Sequence, residues 1–159
     1  PAVPLARSPH LALALLSALA IALVTIVFSR HAERHFEWAQ KLEATFRQAL
    51  GPLDATEVTV LSLSSGIAEE LFFRGMLQPA LGHAIGSGTG GLLIATGAFA
   101  LLHTAPGRGL LAWTAFAFVL GLALGGLFLW TGNVLPPIAL HVLVNAANLR
   151  RIARPIERP

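Results

Sequence analysis

The chain has 159 residues, of which 55% are hydrophobic and only 12% are charged. A typical soluble domain is about 25% charged, so this composition excludes an ordinary water-soluble domain and indicates one helical membrane domain. The formal net charge is +3 and there are no cysteines, which excludes disulfides and thiol-ligated metals. The basic residues cluster near predicted helix ends and no aromatic-basic surface is apparent, so we expect no nucleic-acid partner.

The amino-terminal third is predicted to hold one membrane span and one surface helix. After an irregular stretch over residues 1–10, residues 11–28 carry no charge and can just cross a bilayer, which takes about 20 apolar residues. A cleavable signal peptide is the alternative, but no cleavage site of small residues precedes the polar stretch that follows. That stretch, residues 30–50, repeats apolar residues at helical spacing: Phe36, Ala39, Leu42, Phe46 and Leu50. The pattern predicts an amphipathic helix on the membrane surface, ended by Gly51 and Pro52.

Four further helices are predicted in the rest of the chain. In order, they cover residues 57–82, 91–103, 110–131 and 138–149. Asp54 or Thr56 is expected to cap the first of them, and Pro136-Pro137 to start the last. A loop rich in Gly and Ser is predicted over 82–91, and a basic, irregular tail after residue 150. With the amino-terminal span, this makes a bundle of about five membrane helices plus the surface helix.

The distribution of Lys and Arg predicts the orientation in the membrane. Residues 29–56 hold four, residues 105–109 hold one and the tail from Arg150 holds four, whereas the other side holds only Arg7. By the positive-inside rule the amino terminus is expected outside and the carboxyl terminus in the cytoplasm, which requires an odd number of spans. No repeat of fixed period is present, which argues against an inverted-repeat transporter.

Residues 66–75, GIAEELFFRG, place three charges in an apolar segment. A charge in hydrocarbon costs about 2.5–3.5 kcal/mol on insertion scales, so such residues usually face a protein interior and carry function. In a helix, Glu70 and Arg74 lie on one face and are expected to pair. Glu69 points about 100° away and stays free to address a water molecule.

Small residues precede Glu69 at helical spacing. Ser62, Ser65 and Gly66 lie seven, four and three positions before it. A stripe of small residues allows another helix to approach closely. We expect that helix to be the one that carries His103.

Two later helices carry the remaining polar residues. His103 ends FALLH, with Phe99 four residues before it on the same face. His141 opens HVLVN, with Asn145 one turn later, and Asn148 continues the same stripe. A lone helical histidine is usually a satisfied core residue, but so many polar residues on apolar helices would each cost free energy without a partner. The sequence therefore predicts one buried polar pocket.

Such a pocket can activate water. A glutamate can act as a general base, a histidine can share the water, and a second histidine with an asparagine can donate hydrogen bonds to an oxyanion. That combination is an amide hydrolase. A metal site is the open alternative, because Glu69, His103 and His141 are zinc-type ligands; the HExxH motif is absent.

The order EExxxR, FxxxH and HxxxN, each on its own apolar segment, resembles the CPBP family of intramembrane proteases, relatives of the CAAX prenyl endopeptidase and of bacterial Abi proteins. The matching residues are Glu69, Glu70, Arg74, Phe99, His103, His141 and Asn145. The resemblance covers residues 57–150, which we take as the catalytic membrane domain, between an amino-terminal part over 1–56 and a basic tail over 151–159. The chain has fewer spans than the larger prenyl-protein members, so a CAAX substrate does not follow from it.

The resemblance implies roles for these residues. Glu69 would activate the water with His103, His141 and Asn145 would hold the oxyanion, and Glu70 with Arg74 would order the site. It favours a metal-free glutamic mechanism without cofactor over a zinc enzyme. It also implies a membrane-anchored protein or peptide substrate, and the inner membrane of a bacterium as the location.

Two other classes of function are weighed against the protease. A non-catalytic immunity or partner-stabilising protein on the same fold would not need the complete motif set. A proton-coupled transporter also uses Glu and His within the membrane, but five short spans without internal symmetry argue against it.

Overall fold

The computed structural model describes residues 10–104 and 110–153, and the regular elements in these two ranges are all helical. The helices are α1 (Leu11–His35), α2 (Glu37–Leu50), α3 (Ala55–Phe72), α4 (Gln78–Ile85), α5 (Gly88–Leu102), α6 (Leu110–Thr131) and α7 (Leu135–Ile152). A π-helical turn over Phe73–Leu77 joins α3 to α4 without a break. The prediction of an all-helical protein is confirmed. The predictions for residues 1–9, 105–109 and 154–159 lie outside the described residues.

Two predicted boundaries in the first half of the chain are wrong. The surface helix does not begin at Arg30, because α1 continues to His35. The helix ends at Phe36, whose backbone is extended. The loop over 82–91 is only a short turn. Gly86 ends α4 with a left-handed backbone (φ 68°), and the Ser87 side chain caps α5 at once by accepting from the Gly90 N–H.

Side chains accept from backbone N–H groups at the starts of α3 and α7, the two helices that carry most of the polar residues. Asp54 caps α3 by accepting from the Thr56 and Glu57 N–H groups, while the Glu57 side chain accepts from the Asp54 N–H. This reciprocal capping box satisfies backbone donors that a helix start leaves unpaired. At α7, Asn133 accepts from the Leu135 N–H. α7 continues to Ile152, three residues beyond the predicted end of the last helix at Leu149.

Helix α7 packs against α1 on one side and α3 on the other, while α5 packs between α4 and α6. The shared core consists mainly of Phe73, Phe99, Leu120, Leu124, Leu140 and Val144, with Ala18 and Ala22 of α1 against them. α3 and α7 meet closely at Gly66: a Cβ there would lie 2.6 Å from Val142 Cγ2 and 3.2 Å from the Val142 backbone nitrogen. The small residues before Glu69 thus admit α7, and the expectation that they admit the helix of His103 was wrong.

Large apolar side chains cover the outside of the bundle, on α1, α3, α5 and α6 among others. Two described helices, α1 and α6, are long and apolar enough to cross a membrane. α5 is apolar but has only 15 residues. This apolar outer surface is compatible with a membrane protein.

Candidate active site

Glu70 and Arg74 form a buried ion pair, as their spacing predicts. Arg74 Nη1 lies 3.0 Å from Glu70 Oε1, and the two side chains are 1% and 0% exposed. The guanidinium also donates from Nη2 to the Gly121 carbonyl of α6 at 3.1 Å. Its carbon lies 4.5 Å from the centre of the Phe99 ring, a cation–π contact. Arg74 therefore ties the segment of the glutamates to α5 and α6.

Glu70 also holds His141, which the sequence did not predict. His141 Nδ1 lies 2.8 Å from Glu70 Oε1, and because a carboxylate only accepts, we assign the hydrogen to Nδ1. One carboxylate oxygen thus receives Arg74 and His141 together. The bond sets the orientation of the imidazole and turns Nε2 toward Glu69, at 4.0 Å from Oε2.

Glu69 is placed differently from its neighbour. Its Oε2 lies 3.6 Å from His103 Nε2 and 4.0 Å from His141 Nε2. Both separations are too long for a direct hydrogen bond, and within the described part of the chain this buried oxygen has no hydrogen-bond partner. Three polar atoms, from α3, from α7 and from the residue that follows α5, therefore converge on one point.

His103 is oriented by the end of its own helix. It lies just past α5, and its Nδ1 is 2.8 Å from the Phe99 carbonyl, so Nδ1 donates there and Nε2 faces Glu69. The centre of the Phe99 ring lies 4.2 Å from the centre of the His103 ring and 5.9 Å from that of the His141 ring. Thr114 of α6 donates to the His103 carbonyl. Phe99, placed by its spacing on the face of His103, thus contacts both histidines.

Asn145 joins α7 to α3 next to these groups. Its Nδ2 donates to Ser65 Oγ at 3.0 Å, and Ser65 in turn donates to the Leu61 carbonyl. An amide nitrogen carries two hydrogens, so this bond leaves one free. The sequence treated Ser65 only as a small packing residue, and nothing in its spacing points to Asn145, which is 80 positions away.

The candidate zinc ligands are spaced more widely than a bound zinc ion would hold them, with Glu69 Oε2 at 3.6 Å from His103 Nε2. Bonds of about 2.0–2.2 Å to a tetrahedral zinc ion place two ligand atoms about 3.4 Å apart, whereas Glu69 Oε2 and His141 Nε2 are 4.0 Å apart. Among residues 10–104 and 110–153, no three His, Cys, Asp or Glu side chains are arranged to hold a metal ion.

A cavity of about 380 Å³ adjoins the convergence point. It lies between the carboxyl end of α1, α2, α3, the start of α6 and the second half of α7. Ser65, His103 and Asn145 line it where it meets the site. The predicted surface helix α2 therefore forms one wall of a cavity next to the polar residues.

Comparisons with known proteins place these residues in a family context. The sequence model of "Type II CAAX prenyl endopeptidase Rce1-like" proteins matches residues 52–147, more than half of the chain. A curated relative, "Uncharacterized protein YpbD" of Bacillus subtilis (strain 168), is 34% identical over 91 residues. The aligned region covers 56% of this chain but only 42% of that relative. No solved structure matches the chain significantly.

Proposed function

The chain belongs to the Type II CAAX prenyl endopeptidase Rce1-like family, and from this premise we propose that it is an intramembrane endopeptidase that cleaves a membrane-anchored protein or peptide with a glutamate-activated water. The family is one of membrane-bound peptidases. One observation carries the glutamate mechanism: Glu69 Oε2 lies within 3.6–4.0 Å of two histidine Nε2 atoms and lacks a hydrogen-bond partner in the described part of the chain.

In the proposed first step, a water molecule beside these groups hydrogen-bonds to both Glu69 Oε2 and His103 Nε2. Glu69 takes a proton from the water, and the water oxygen attacks the carbonyl carbon of the scissile bond. The His103 ring is already fixed by the Phe99 carbonyl, so its Nε2 is held ready to orient the water. Glu69 then passes the proton to the leaving amine, which restores the carboxylate.

The negative charge on the carbonyl oxygen needs hydrogen-bond donors. The second Nδ2 hydrogen of Asn145 is one, since the first is used on Ser65. His141 is the other: in its imidazolium form it donates from Nδ1 to Glu70 and from Nε2 to the oxyanion. Donors fixed in advance stabilise a transition state because they do not reorganise during the reaction. Glu70 and Arg74 act here as positioning residues.

The membrane arrangement that fits this activity has five spans and α2 at the surface. α1, the continuous helix formed by α3 and α4, α5, α6 and α7 would cross or enter the bilayer. The amino terminus would lie outside and the carboxyl terminus in the cytoplasm, with the inner membrane of a bacterium as the location. The apolar outer surface and the charge distribution support this arrangement.

A panel of membrane-anchored peptides separates this proposal from its alternatives. We expect purified protein in lipid nanodiscs to cleave a subset of the panel, and to do so equally after extensive chelation. Cleavage that is lost on chelation and restored by zinc would replace the glutamic mechanism by a metal mechanism on Glu69, His103 and His141. Absence of cleavage across the panel would favour the non-catalytic alternative.

A further inference from the structure

The cavity beside the site, which we call the α2 cavity, has two unlike walls. One wall is aromatic and consists of Phe28, Trp38, Phe46, Trp113 and Phe116. The other is α7, where Asn145 and Asn148 line the same space. His141, Asn145 and Asn148 follow one another at intervals of four and three residues, so they share a face of α7. A row of amides thus leads from the reacting groups into a cavity that is aromatic on one side and also carries the charged side chains of Glu33, Glu43 and Arg151 in its lining.

We propose that the α2 cavity binds the substrate segment next to the scissile bond as an extended, unlipidated peptide. A large apolar side chain of this peptide packs against the aromatic wall, and the Asn148 amide hydrogen-bonds to the peptide backbone. This inference rests on the proposed function and names the class of peptide that the same site accepts.

The spacing along α7 fits an extended peptide. Asn148 lies three residues beyond Asn145, a rise of about 4.5 Å along the helix, while successive residues of an extended chain are about 3.3 Å apart. With the scissile carbonyl at Asn145, Asn148 is therefore level with a peptide group one or two residues away. The Asn148 side chain is half-buried and makes no hydrogen bond or ion pair within the described residues, so its amide is available to a ligand.

The amide row selects a peptide over a lipid chain. A hydrocarbon chain in the α2 cavity would cover the Asn148 amide without offering it a partner, and a buried unpaired amide is costly. A peptide supplies an N–H and a C=O at each residue, so it satisfies the amide and still presents an apolar side chain to the aromatic wall.

Much of the cavity comes from parts of the chain beyond residues 52–147, where the family model matches. Phe28, Trp38 and Phe46 precede that region, and Asn148 follows it. The α2 wall is held in place, since Phe46 packs edge-on against Trp113 at 5.2 Å and Glu43 lies 3.4 Å from Arg151 of α7. The subsite is therefore built largely from residues outside the region that the family model matches.

Binding to the Glu69→Gln variant tests this inference without requiring catalysis. A set of fluorescent peptides is titrated against this variant in nanodiscs. The peptides differ at one position only, which carries Phe, Leu or Ser, and each position is varied in turn. We expect at least one position where Phe binds about tenfold or more tighter than Ser, because burying an aromatic ring is favourable by that order. Adding Phe46→Ala, or Trp113→Leu as a second variant of the same wall, should abolish this preference.

Asn148→Leu tests the backbone contact. It removes both hydrogen-bonding groups and keeps the branched shape of the side chain, and we expect every peptide to bind about 5–10-fold more weakly. Gln48→Leu is the control, because it also replaces an amide by leucine, on α2 and outside the cavity lining; its binding should equal that of the parent.

Three results would overturn the inference. They are binding that needs a lipid chain on the peptide, no preference between Phe and Ser at any position, and equal binding by the Asn148→Leu and control variants. The proposed function is judged separately, by cleavage in the wild-type chain. Selective binding without cleavage would support the subsite and contradict the peptidase activity. Cleavage without selective binding would support the peptidase activity and contradict the subsite.

Discussion

At the scale of single residues, the two adjacent glutamates are separated by what they contact. Glu70 is fully buried and accepts from Arg74 and His141 through one oxygen. Glu69 is about one third exposed and faces two histidine Nε2 atoms across gaps of 3.6 and 4.0 Å. A carboxylate that already accepts from two donors is a poor base, which supports our proposal that Glu69 is the base.

Removal of Arg74 is expected to damage the fold as well as the activity. Arg74→Ala leaves Glu70 buried without its cation, and breaking a buried pair in this way costs about 3–5 kcal/mol in soluble proteins. The melting temperature and the amount of membrane-inserted protein should both fall. Arg150→Ala, which removes an exposed arginine of α7, is the control and should change neither. Normal abundance and melting temperature in Arg74→Ala would contradict a structural role for the pair.

Sequence reasoning reaches some residue contacts and not others. The Glu70–Arg74 pair and the contact of Phe99 with His103 follow from a spacing of four residues on one helix. The bonds from His141 to Glu70 and from Asn145 to Ser65 join residues 71 and 80 positions apart. No periodicity within a helix encodes such pairs, because they depend on the rotation of α7 against α3.

At the scale of helices, the π-helical turn Phe73–Leu77 aligns three polar side chains. In a regular α-helix, positions four apart drift by about 40° around the axis. Here Arg74 donates to the Gly121 carbonyl and Gln78 donates to the Gly125 carbonyl, so both helices advance by four residues together. The π-helical turn has more residues per turn, which offsets this rotation and keeps Glu70, Arg74 and Gln78 on one face. Nothing in the residue pattern predicts where one extra residue enters a helix.

Close approach of α6 is needed for these bonds, and its glycines permit it. A Cβ on Gly121 would lie 2.9 Å from Thr96 Cγ2 and 3.3 Å from Arg74 Nη2, whereas a Cβ on Gly126 would meet nothing within 4 Å. We expect Gly121→Ala to lower the melting temperature and the activity. Gly126→Ala should keep or raise stability, since alanine favours a helix by about 0.5–1 kcal/mol. Equal behaviour of the two variants would mean that the α6 contact does not position Arg74.

At the scale of the whole molecule, the helices were predictable and their junctions less so. Composition and apolar spacing predicted the helical bundle and placed α6 at residues 110–131, as found. The continuation of α1 to His35 was missed because residues 30–35 are polar and were assigned to the surface helix. The two-residue turn after α4 was missed because a stretch rich in Gly and Ser looks like a loop until a cap such as Ser87 is seen to start a helix. The position of α2 against the cavity depends on tertiary contacts and could not be read from its amphipathic pattern.

The orientation in the membrane stays a prediction, with a direct test. A reporter fused after Arg158 should read as cytoplasmic, and one inserted at Ser87, in the turn between α4 and α5, should read as external. The expectation follows from nine Lys and Arg in the segments assigned to the cytoplasm against Arg7 on the other side. The opposite pattern would invert the orientation and place α2 outside.

The central claim, hydrolysis by a water that Glu69 activates, is tested most directly by the rate of peptide cleavage in Glu69→Gln. The amide keeps the shape of the side chain but cannot take a proton. We expect normal abundance and melting temperature, because Glu69 has no hydrogen-bond partner for Oε2 in the described part of the chain. The cleavage rate should fall by about 10²–10⁴-fold or below detection, as on loss of a general base. Cleavage at the wild-type rate by folded Glu69→Gln protein would contradict the account.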